Sequence, residues 1–239
     1  MTPGMLVPIL LLLLAPSLLA QRAFERRGHV IYEDSGGHRS DLGVGFSPVL
    51  TQSGEVALVR GRLLPYGEHF DCRHKNTRNW IAVYSPVTGT EKVLFDRPLR
   101  FERGGLPFCV FERMQLSPDE STLYLVAAVY ATSGSLAIVP LQQGTVTFVP
   151  GVCDIYVIIN GSHRGELLYQ RRMYPELHIP GDKGRYPYYP FVHARADGKP
   201  IRVVADEFPR DGVFDGPRVA RYLRSLGGQI ILNGQAFPR

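Results

Sequence analysis

The sequence predicts an all-β fold. Twenty-five Gly and 19 Pro are spread along 239 residues, cutting the chain into short segments of the kind that strands and turns need. Between these breaks, apolar and β-branched residues alternate or run briefly, the pattern of half-buried and fully buried strands. The hydrophobic share of 44% and charged share of 21% match a folded soluble chain and exclude disordered, collagenous and multi-span membrane classes.

The first element is not part of the fold. Leu6 to Ala15 is almost wholly apolar and leads through Pro16 and Ser17 to Leu18-Leu19-Ala20, which reads as a secretory signal over residues 1–20. A spanning helix needs ~20 apolar residues, and this run is shorter and interrupted by Pro8 and Pro16. Residues 21–239 are therefore expected to form one exported domain, periplasmic or secreted, that meets a membrane only transiently through its signal.

Along that domain, Gly28 to Glu33 and His38 to Leu42 flank the turn residues Asp34 to Gly37, a hairpin signature. Val44 to Leu50 and Glu55 to Arg60 follow around Thr51-Gln52-Ser53-Gly54; Trp80 to Tyr84 and Glu91 to Phe95 flank Pro86 to Gly89. A second set runs Cys109 to Leu116, Thr122 to Tyr130, Leu136 to Pro140 and Thr145 to Val149. A third runs Asp154 to Ile159, Glu166 to Arg171, Tyr188 to Arg195 and Ile201 to Ala205. Four strands per unit at a period of ~40 to 50 residues predict a β-propeller-like array of four-stranded antiparallel blades, small or incomplete because only three full units are present. An open sandwich or barrel is the competing arrangement. The N-terminal hairpin and Gln229 to Asn233 are candidates for a shared blade that closes the ring.

Gln115 to Val126, with Ser117-Pro118-Asp119-Glu120 at its centre, resembles the Ser-Pro-Asp-Gly blade motif of TolB-like, WD40-like propellers. Glu120 stands where the motif has Gly, and Gly45-Phe46-Ser47-Pro48 with Ser53 to Val59 is a looser copy. The resemblance covers residues 28–206 and implies blade-building turns, since Pro fixes φ and Asp caps a tight connection. It implies fold more firmly than function, because such propellers bind, assemble or catalyse. Near the C-terminus, Val219, Tyr222, Leu223 and Leu226 recur at helical spacing between Asp215-Gly216-Pro217 and Gly227-Gly228, predicting one short amphipathic helix over the end of the sheets with Arg218, Arg221 and Arg224 on its polar side.

Cys72, Cys109 and Cys153 match no metal or redox spacing. In an oxidising compartment a Cys72 to Cys109 disulfide is expected, with Cys153 a buried thiol. A site built from His69, Cys72 and His74 and completed by Cys109 is the metal-binding alternative; no metal and no cofactor are expected. The net charge of +5 comes from scattered Arg, only Lys75, Lys92, Lys183 and Lys199 being lysine, and without a basic run or stacking face it does not point to nucleic acid.

Two insertions carry the candidate binding residues, because loops on a rigid scaffold are where specificity resides. Tyr66, His69 and His74 lie in Gly61 to Asn79, and Tyr174, His178, Arg185, Tyr186, Tyr188 and Tyr189 in Met173 to Pro190. Tyrosine faces stack while their hydroxyls hydrogen-bond, which suits a peptide or glycan. No nucleophile elbow, P-loop, dinucleotide fingerprint or HExxH helix occurs, so no catalytic residue is assigned. The expected function is an exported binding module for a protein or envelope-associated ligand. The alternative is a small secreted hydrolase or lyase acting on a polysaccharide or peptide with carboxylates such as Glu68 and Asp71, or Glu176 and Asp182.

Overall fold

The computed structural model describes residues 21–61, 79–95, 110–130, 133–141, 145–173, 189–205, 216–232 and 235–238. Strands β1 (Arg22–Arg26), β2 (His29–Glu33), β3 (Arg39–Leu50), β4 (Val56–Arg60), β5 (Trp80–Ser85) and β6 (Thr90–Phe95) form one antiparallel sheet in chain order. A second, four-stranded sheet holds β7 (Phe111–Leu116), β8 (Thr122–Tyr130), β9 (Ser133–Pro140) and β10 (Thr147–Pro150). The third holds β11 (Val152–Val157), β12 (Leu167–Arg171), β13 (Phe191–Ala194) and β14 (Pro200–Ala205). Helix α1 (Gly216–Ser225) and the hairpin β15 (Ile230–Leu232) with β16 (Gln235–Phe237) end the chain.

Among the described residues the chain is all-β with one short helix, and its sheets form a propeller-like array. Each blade meanders from its first strand to its fourth, and the first strands β3, β7 and β11 pack beside one another. Strand alternation builds the layers between blades. Along β4, Ala57 and Val59 face the second blade while Val56 and Leu58 face the N-terminal hairpin. Along β8, Leu123, Leu125 and Ala127 face the first blade, whereas Tyr124 and Val126 face the third. In β12, Leu167 and Tyr169 look back at the second blade and Leu168 looks towards Val219 and Leu223 of α1. Each fully buried Val or Leu of this kind contributes roughly 1.5–3 kcal/mol, and the central strands, covered on both faces, read as continuous apolar runs for this reason.

The two ends are not joined into a shared blade. The β1–β2 hairpin extends the first sheet through β3, and the edge of β15 is taken by β16. β3 serves both halves of its sheet by bending near Gly43, where φ is 88°. Arg60 fills the bend: its Nη1 donates to the carbonyls of Leu42 (2.6 Å) and Val44 (3.2 Å), and its Nε donates to Glu91 Oε2 at 2.9 Å. Arg22 and Arg39 likewise both bond the buried Glu33 carboxylate. Part of the arginine excess is thus spent on ion pairs inside the sheets.

At one end of the array the blade turns meet. Ser117 Oγ donates to Asp119 Oδ1 at 2.5 Å, Ser121 N donates to the same oxygen at 3.2 Å, and Thr122 N donates to Ser117 Oγ at 3.0 Å. Glu120 takes a left-handed φ of 56°, a conformation that favours Gly. Its carboxylate then accepts from Gln52 N of the first blade's turn at 2.6 Å, and the Pro118 carbonyl accepts from Gln52 Nε2 (2.9 Å) and from Arg164 of the third blade (3.0 Å). The three first-to-second-strand turns are therefore tied in series.

Hydrogen bonds from Ser117 and Ser121 hold the Asp119 carboxyl below its ordinary value of 3.8. The folded form is the stronger acid, so this contribution is present above the unfolded value and is lost as pH falls through the folded one. Asp119→Ala is expected to lower the thermal midpoint at neutral pH and to lose less than wild type between about pH 4 and pH 2. Parallel midpoint curves across that window would show that Asp119 does not secure the turn.

Candidate functional site

Chemistry-bearing side chains converge at the same end, between the third blade and α1. His163 and Glu166 belong to the turn entering β12, which is closed by Gly165 N donating to the Ile158 carbonyl at 2.8 Å. His193 comes from β13, opposite Leu168 of β12, on the face that Phe191 also presents to α1. Tyr222 comes from α1, which is held by burial of Val219, Ala220 and Leu223 while Arg221 and Arg224 stay in solvent. The helix forms where its periodicity predicts, and it covers one face of the third blade instead of the end of the sheets.

Glu166 Oε2 is the hub. It lies 2.8 Å from His163 Nδ1 and 2.6 Å from His193 Nε2. On the far side of the imidazole, His193 Nδ1 is 2.8 Å from the Tyr222 hydroxyl. The two histidine rings meet edge to face with centroids 5.3 Å apart, and Arg202 lies 5.5 Å over the Tyr222 ring. His193 is 1% exposed, while His163 and Glu166 are half-buried. Although His193 Nε2 is close to Glu166, the approach is off the hydrogen-bond line, and this buried nitrogen has no hydrogen-bond partner.

Burial pulls the His193 imidazole below its ordinary pKa of 6.5; Glu166 opposes that shift, and His163 and Arg202 add to it. Burial also raises the Tyr222 phenol. The arrangement thus offers a neutral buried imidazole, a carboxylate and a second, water-accessible imidazole around one point.

Sequence reasoning missed this group. His163 and Glu166 fall in a segment predicted as a hairpin turn and strand start, and His193 in one predicted as an ordinary strand. A signal exists in the placement of His193 within Phe191-Val192-His193-Ala194, where an imidazole on a buried strand demands a polar partner.

Tyr189 is half-buried, and its backbone carbonyl accepts from Gln170 Nε2 at 3.5 Å. Tyr66, His69, His74, Tyr174, His178, Arg185, Tyr186 and Tyr188 lie outside the described residues, as do Cys72, Cys109 and the signal segment. Cys153, expected to be buried, is half-buried instead, with its thiol 3.8 Å from the Gly151 carbonyl. Asn160, in the Asn160-Gly161-Ser162 turn, donates through Nδ2 to Gln229 Oε1 at 2.7 Å and so ties the third blade to the segment before β15. Among the described residues no helix is long and apolar enough to cross a membrane.

The strands bounding the two insertions share an end. Arg60 pairs with Trp80 and Gln170 with Phe191, each at the end of its blade away from the tied turns. There the second and third blades are joined by Gly151 N donating to the Gly134 carbonyl at 3.0 Å and Arg172 N donating to the Gly151 carbonyl at 2.6 Å.

No family model and no curated protein matches the chain. Twenty-two chains of solved structures do. The β-propeller domain of the Trilobed protease from Pyrococcus furiosus is 13% identical with a TM-score of 0.43, over 72% of this chain and 47% of that one. Kuenenia stuttgartiensis hydrazine synthase is 11% identical with a TM-score of 0.45, over 76% of this chain and 49% of that one. The chain spans about half the length of each of these two structures.

Proposed function

We propose that the protein is an exported propeller-like binding module of the TolB-like, WD40-like repeat type. Its ligand is a protein or an envelope-associated peptide or glycan, engaged through the 61–79 and 173–190 connections. The observation that supports this reading is that the strands bounding both connections end on the same side of the blades. Two segments rich in Tyr, His and Arg then leave the same end of one scaffold, which is how a composite recognition surface is presented.

Exchange of residues 174–188 for a short Gly-Ser connection tests it. Immobilised wild-type protein is expected to enrich a discrete component of an envelope extract at least about tenfold over the exchange variant, with both proteins showing the same cooperative unfolding. Equal capture by the two would refute loop-mediated binding.

A further inference from the structure

We propose that His163, Glu166 and His193 form a binding site for a divalent transition metal of the zinc class. Their donor atoms all lie within 4.8 Å of one another, and the donor set of two imidazoles and one carboxylate suits a borderline ion such as zinc. Tetrahedral donors about 2.0–2.1 Å from such an ion sit roughly 3.3 Å apart. The pairs observed at 2.6 and 2.8 Å need only side-chain adjustment to reach that spacing.

The state of the buried nitrogen is a second observation that points to a cation. His193 Nε2 is buried and lies 2.6 Å from Glu166 Oε2 with no hydrogen bond aligned on it. If Tyr222 accepts the proton of His193 Nδ1 across their 2.8 Å contact, Nε2 carries a lone pair with a carboxylate oxygen 2.6 Å away. That pairing is repulsive until a cation lies between them. A hydrogen bond from the far ring nitrogen is the usual way a ligating histidine is fixed in tautomer and orientation. Tyr222 is accordingly a positioning residue and not a ligand, and the metal would couple the β12 turn and β13 to α1. Three protein ligands leave a coordination position for water, on the half-exposed His163 and Glu166 side.

The site lies at the end of the blades opposite the 173–190 connection, so it stands or falls separately from the binding function proposed above. Chelator-stripped protein is titrated with zinc chloride by calorimetry and with cobalt chloride by visible spectroscopy. Wild type is expected to take one equivalent of zinc with micromolar or tighter affinity and to gain thermal stability from it. Its cobalt complex is expected to lack a thiolate charge-transfer band. His163→Ala and Glu166→Gln, both at half-exposed positions, are expected to abolish that stoichiometric binding, and Tyr222→Phe to weaken it about 10–100-fold. The exchange of 174–188 is expected to leave it intact. The assignment is overturned if wild type takes up no zinc, if both ligand variants bind as wild type does, or if a thiolate band places the metal on cysteine.

Discussion

Gly134→Ala is expected to lower the unfolding free energy by about 3 kcal/mol, at the upper end of ordinary overpacking costs. A Cβ at this position would stand 2.2 Å from the Val152 carbonyl oxygen, with Val126 Cγ1 at 3.5 Å. The obstructing atom is backbone and cannot rotate away. That backbone is also held from both sides, since Gly134 O accepts from Gly151 N and Gly151 O accepts from Arg172 N. To admit a methyl group, the start of β9 must part from the chain entering β11, loosening the junction of the second and third blades. Urea denaturation measures the loss through the midpoint at unchanged slope. Gly36→Ala serves as the comparison: the nearest atoms there belong to the side chains of His38 and Asp34, and a change within about 0.5 kcal/mol is expected. Equal stability of the two variants would show that the blade junction is not close-packed.

That junction also marks how far the sequence could be read. Glu55 to Arg60 and Thr122 to Tyr130 were legible as strands because Val56 to Val59 and Leu123 to Ala127 are covered on both faces, which selects apolar residues at successive positions instead of alternate ones. The Ser117 to Glu120 turn was legible because its geometry is made by local hydrogen bonds among the very residues that form the motif. β1, with sequence Arg-Ala-Phe-Glu-Arg, was not legible: it is an edge strand fastened by Arg22 to the buried Glu33 of β2, so its fixing contact is ionic and leaves no apolar period. The failure of Gln229 to Asn233 to join the N-terminal hairpin was equally hidden. β15 finds a nearer partner in β16, across only two intervening residues, and closing a short loop costs less chain entropy than pairing the two ends of the molecule. The His163, Glu166, His193 and Tyr222 group was invisible for a related reason. Its members come from a turn, a strand and a helix, so no spacing pattern records that they meet.

Asp154→Ala is expected to cost about 3 kcal/mol, since removing a buried carboxylate leaves the groups bonded to it uncompensated. Asp154 is where the second and third blades are joined by charge: its carboxylate pairs with Arg113 of β7, accepts from the Tyr156 hydroxyl at 2.6 Å and accepts from Ile155 N at 2.8 Å. Gln115 continues the seam, donating to the Ile155 carbonyl at 2.9 Å and accepting from Val157 N at 2.8 Å. The Arg113 side chain is 52% exposed against 12% for Asp154, so water partly rescues the guanidinium, and the loss stays below the upper part of the range for fully buried pairs. Part of the cost falls on Tyr156, 5% exposed, whose hydroxyl donates to the Asp154 carboxylate. Burial and then the Asp154 carboxylate push this phenol well above its ordinary value of 10; removing the carboxylate is expected to lower it again while burial keeps it raised. Ultraviolet titration of phenolate formation, read beside the urea midpoint, separates this electrostatic role from a simple packing defect. A double variant, Arg113→Leu with Asp154→Leu, is expected to recover part of the lost stability, because apolar groups replace both charges at once. If that variant is less stable than Asp154→Ala alone, the charge pair does not govern how these two blades meet.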